Sequence, residues 1–165
     1  MGIRYYVCTG LFLASFSGCG GTAPPPASPE GSLPTNHHDT AMLPAEPPKN
    51  FSQQVAAGQA LYVDNCAHCH GDAGQGVRAP AVVGLSSGAL PLEPPANAKY
   101  RKTQFRTVAD VADFVTKNMP PNKAGTLTEA QYFSILAFDL KANGIDLGDK
   151  MLDGALAPTL TIPRP

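Results

Sequence analysis

The sequence predicts an all-α domain that follows an export segment and a proline-rich arm. Three observations carry that reading. Apolar residues return at helical spacing in separate stretches, such as Val55, Leu61 and Tyr62, and later Val108, Val111, Ala112 and Val115. Capping and breaking residues bound these stretches, with Thr107 before one and Pro120-Pro121 after it. No strand pattern lies near the cysteine cluster at 66–69.

Composition sets the outer limits. A chain of 165 residues allows one domain of ordinary size. Seventeen prolines and sixteen glycines exceed what a uniformly packed chain carries, so part of it is expected to be linker. A formal net charge of −1 argues against nucleic acid as the main partner.

Residues 1–18 read as a targeting segment. Arg4 gives a positive start, and Val7 to Phe16 forms an apolar run too short to span a bilayer comfortably. Small residues then precede Cys19, an arrangement that resembles a bacterial lipoprotein signal, with Cys19 as the lipidated first residue of the mature chain. Phe16 stands where such signals usually carry leucine, and the alternative is an ordinary signal peptide cleaved nearby. Either reading sends the protein out of the cytoplasm.

Residues 19–50 hold eight prolines and few large apolar side chains. They bury too little surface to offset ordering entropy and are expected to form a semi-extended tether. At ~3.1 Å per residue it reaches at most about 90–100 Å. His37 and His38 lie in this stretch, where solvated histidines are the ordinary reading.

The domain is expected over 51–144, with Ser52 as the first N-cap. The helix leads into Cys66-Ala67-His68-Cys69-His70. Cys-x-x-Cys-His is the attachment sequence for a covalently bound c-type haem. Two thiols one helical turn apart can each add to a porphyrin vinyl group, and His70 is placed to offer its imidazole to the iron. A zinc site would need four protein ligands, and no second Cys or His cluster follows in the domain. A thioredoxin-like pair would sit in a βαβ setting. With Cys66 and Cys69 committed to haem, and Cys8 and Cys19 in the export segment, no cysteine remains for a disulfide.

With Gly58 and Tyr62 ahead of this motif, the chain resembles class I c-type cytochromes over about residues 51–144. The resemblance implies a cytochrome c-like fold of about three main helices around one haem c. It implies that Pro80 offers a carbonyl to the ring N–H of His70, and that Val82, Val83 and Leu85 wall the haem. It implies a propionate partner among Tyr100, Arg101 and Lys102. A solvated basic face or a docking patch is the competing reading of Lys99, Arg101, Lys102 and Arg106.

Thr107 is expected to cap a helix running to Asn118, where Met119-Pro120-Pro121 ends it. A thioether held extended just after a helix resembles the family's distal iron ligand; Met42 in the tether and Met151 in the tail are less well placed. Thr126-Leu127-Thr128-Glu129 has the form of a capping box, and a last helix runs to about Asn143, stopped by Gly144. Ile135 and Phe138 are expected to pack on the first helix. Residues 145–165 are expected to form a tail on the surface.

With His70 and Met119 as axial iron ligands, the protein is expected to be no enzyme. It would be a membrane-tethered electron carrier on the periplasmic side, passing single electrons between respiratory redox partners. The alternatives are a haem subunit of a dehydrogenase or oxidase complex, and a haem enzyme or gas-binding domain with a displaceable distal ligand.

Overall fold

The computed structural model describes residues 46–99 and 101–164. The export segment with Cys8 and Cys19, most of the tether with His37, His38 and Met42, and Tyr100 lie outside the described residues. The described part contains four α-helices: α1 (Phe51–Asn65), α2 (Ala67–His70), α3 (Val108–Asn118) and α4 (Glu129–Ala142). Two single 3-10 turns, Leu85–Ser87 and Ala157–Thr159, complete the regular structure there, with one isolated antiparallel bridge between Thr107 and Thr161. The all-α class expected from the sequence is the class observed.

The main packing event is α1 against α4. Gly58 makes it possible, because a Cβ at that position would fall inside the van der Waals radius of the Ser134 carbonyl on α4. Around this crossing Leu61 and Tyr62 pack with Ile135, and the rings of Tyr62 and Phe138 lie 5.0 Å apart in a tilted pair. Ile135 and Phe138 therefore meet the first helix as expected.

Helix ends correct two details. Asn50, not Ser52, caps α1, its side-chain oxygen accepting from Gln53 N at 3.0 Å. In α4 the capping box is Thr128 with Gln131, one frame later than Thr126 with Glu129. Both frames fit the sequence pattern, and Thr126 instead donates its hydroxyl to Lys123 O. For α3, Thr107 is the cap as expected, with Asp110 closing the box.

Residues 145–164 are not a surface tail. Leu152, Ala157 and Ile162 are buried in the same cluster as Phe51, Val111 and Leu136. The buried Gln54 amide on α1 treats Leu152 as a strand partner, donating to its carbonyl at 2.7 Å and accepting from its N–H at 2.8 Å. Val108 N donates to Leu160 O and Ile162 N to Arg106 O, both at 2.9 Å, which ties the segment to the start of α3. The irregular C-terminal stretch thus belongs to the packed unit, and the expected boundary at 144 moves outward.

Candidate functional site

α1 ends and α2 begins at Cys66, so the Cys-x-x-Cys-His stretch forms its own short turn of helix. His70 N donates to Cys66 O at 3.0 Å, and the following loop folds back on the motif. Arg78 N and Ala79 N converge on Cys69 O, and Gly76 N donates to His70 O at 2.6 Å. Gly71 and Gly76 hold positive φ angles of 86° and 84°, which a residue with a side chain would adopt only with strain.

This loop carries Pro80 back to the motif. His70 Nδ1 lies 2.7 Å from Pro80 O. A carbonyl only accepts, so Nδ1 carries the proton and donates, and Nε2 is left with a free lone pair. His70 and Pro80 both line a cavity of about 280 Å³. Met119 lines the same cavity from the end of α3, its backbone extended at φ −121° and ψ 145° ahead of Pro120. Met151 is not among the lining residues.

The remaining walls are largely apolar. Val82, Leu85, Leu90, Val111, Phe114 and Leu136 contribute, so two of the three expected wall residues at 82–85 are present. Val83 turns instead toward Gly74. Among the three expected propionate partners, Arg101 lines the cavity and Lys102 does not. Arg101 is buried, donates to Pro91 O and Glu93 O, and stacks its guanidinium 4.1 Å above the Phe105 ring. Lys99 joins Arg101 at this edge, and Lys102 donates to Ala98 O in solvent.

Burial pushes the Cys66 thiol up to about 12, with the Asp139 and Cys69 charges adding to the shift. Among the described residues, no group of three His, Cys, Asp or Glu is arranged to hold a metal ion.

The donor set and the cavity fit a haem. The largely apolar walls suit a large flat apolar group, and His70 and Met119 both line the space it would occupy.

A family model described as cytochrome c oxidase, cbb3-type, subunit III matches residues 53–138, more than half of the chain. The chain belongs to this family of c-type cytochrome domains. No curated protein matches this chain. Among solved structures it is similar to a chain in the crystal structure of the sulfane dehydrogenase SoxCD from Paracoccus pantotrophus. The two are 27% identical, with a TM-score of 0.50, over 82% of this chain and 68% of that one.

Two residues of this cytochrome domain escaped the sequence reading. Asn143, expected only as a helix end, accepts from Gly84 N at 2.8 Å and Leu85 N at 3.1 Å and donates to Val82 O at 2.9 Å. It fastens the loop that bears Pro80 to α4. Asp139 places a carboxyl in the cavity wall. Its position inside the apolar run from Ile135 to Leu140 was the available signal.

Proposed function

We propose that this chain is an electron-transfer protein, not an enzyme, with one haem c held through thioether bonds to Cys66 and Cys69. The observation that carries the proposal is the bond from His70 Nδ1 to Pro80 O at 2.7 Å, in a cavity that Met119 also lines. His70 would offer Nε2 to the haem iron, and Pro80 fixes the tautomer and the ring that would make this offer. Met119 would offer its sulfur as the other protein ligand. The apolar walls exclude water, and Arg101 stands ready at the cavity edge for a propionate. Bound haem supplies one-electron chemistry, and a Met/His ligand pair favours a raised potential.

On this reading Cys19 carries the lipid, residues 20–50 form the tether, and the carrier works on the periplasmic side of a bacterial membrane. Among the described residues no helix is long and apolar enough to cross a membrane. Its partners are redox proteins of a respiratory or dehydrogenase chain. A second reading, a haem subunit fixed in a dehydrogenase complex, draws support from the likeness to a chain of a sulfane dehydrogenase structure.

The test is Met119→Ala in the haem-loaded protein. The wild type binds carbon monoxide poorly when reduced, and the variant binds it readily and has a lower potential. Ready binding by the wild type, or an unchanged spectrum and potential in the variant, overturns the carrier reading in favour of a haem enzyme or gas-binding domain.

A further inference from the structure

Asp139 has no structural reason to be where it is. It lies on α4 between Phe138 and Leu140, in the wall of the cavity shared by His70 and Met119. Its Oδ1 is shut off from solvent and has no hydrogen-bond partner, and among the described residues it is the one buried side-chain N or O atom in that state. An unpartnered buried carboxyl oxygen is costly, and an aliphatic residue would fill this wall without that cost.

The surrounding groups leave the carboxyl unneutralised. Its charge is felt by Tyr62 on α1 and by Cys66 at the end of that helix; Asp72 also acts on Tyr62 and Cys69 on Cys66. The Tyr62 hydroxyl is committed to Gly71 O at 3.0 Å. Residues 80–85 bring no titratable side chain. Across the cavity His70 is turned to Pro80, and Lys99 and Arg101 form no ion pair with Asp139. On α4 itself Lys141 pairs with Asp146. Burial, and after it the Asp139 charge, pushes the Tyr62 hydroxyl upward, so these two groups share one poorly screened space. Burial pushes the Asp139 carboxyl up to about 8, within reach of physiological pH.

We propose that Asp139 is a proton-binding site coupled to the electron held in this cavity, so that the domain carries a hydrogen equivalent rather than a bare electron. The inference rests on the haem reading above. When one electron arrives from a donor protein, the carboxylate takes one proton from solvent and becomes a carboxylic acid. When the electron leaves for the acceptor, the acid returns that proton to solvent. Charge in the cavity is conserved at each step. The cause is Coulombic: added negative charge nearby raises the carboxylate's affinity for a proton.

The experiment measures the reduction potential of the haem-loaded protein from about pH 5 to about pH 9, a range that brackets a carboxyl titrating near 8. Wild type, Asp139→Asn and Asp139→Leu are compared. The wild-type potential is expected to fall with rising pH between two plateaus, by 59 mV for each tenfold by which reduction tightens proton binding. Both variants are expected to give a flat profile. Infrared difference spectra of the wild type should gain a protonated-carboxyl band on reduction, and Asp139→Asn should lack it. A flat wild-type profile, or a sloping one that survives in both variants, overturns the proposal while a reversible one-electron wave leaves the carrier reading standing. Absence of any one-electron wave overturns both.

Discussion

The Tyr132 hydroxyl donates to the Met119 carbonyl at 2.7 Å and accepts from the Gly125 N–H at 3.1 Å. One phenol on α4 thus holds two points of the loop that follows α3, its start at Met119 and Gly125 further on. The Tyr132 side chain is buried, so its position is set by the core and not by the loop.

Tyr132→Phe keeps the ring and removes the bridge, leaving the Met119 carbonyl and the Gly125 amide to find water. We expect a stability loss of about 1–2 kcal/mol in denaturant melts. Hydrogen exchange at the Gly125 amide should accelerate beyond what that global loss explains. Unchanged exchange there would show that Pro120 and Pro121 hold the loop unaided.

Gly58→Ala tests the helix crossing. The added methyl must displace the Ser134 carbonyl, which is backbone and cannot rotate away. Overpacking of this kind costs about 3 kcal/mol or more. A thermal melt within a degree or two of wild type would mean that α1 and α4 can part without penalty.

The sequence held the cytochrome motif in plain view because the attachment pattern sets three of five successive positions, Cys66, Cys69 and His70. The place of Met119 at the end of α3 was legible for a local reason: a helix tends to stop before Pro120, which holds the Met119 backbone extended. Other features follow from three-dimensional choices that local pattern leaves open. Asn50 and Ser52 can both cap a helix, and only the reach of the Asn50 side chain to Gln53 decides between them. Thr126 and Thr128 each precede an acceptor three residues on, and the frame is settled by where α4 must begin to bring Tyr132 under Met119. Residues 145–164 have no helical period because Gln54 and the start of α3, not their own helix, satisfy their backbone. No pattern along the chain shows that contact.

Acid should loosen α3 first. Hydrogen bonds from the Thr107 and Arg106 backbone amides hold the Asp110 carboxyl below its ordinary value, both at 2.8 Å. The native state then binds fewer protons than the unfolded one in this window. The cap's contribution is therefore complete above the unfolded carboxylate range and is lost as pH falls through the native value. Asp110→Asn should flatten that part of an acid-stability profile. A variant that retains the full acid dependence would assign it to other carboxylates.

The reciprocal bonds between Gln54 and Leu152 join residues 98 positions apart. Closing so long a loop carries an entropic cost that short-range helix contacts do not. Folds governed by such distant pairings assemble slowly. Helices α1, α3 and α4 can each form from local contacts, whereas the clasp on α1 waits for the last residues of the domain. Order of arrival is thereby written into the chain: the helices stand before the latch that closes behind them.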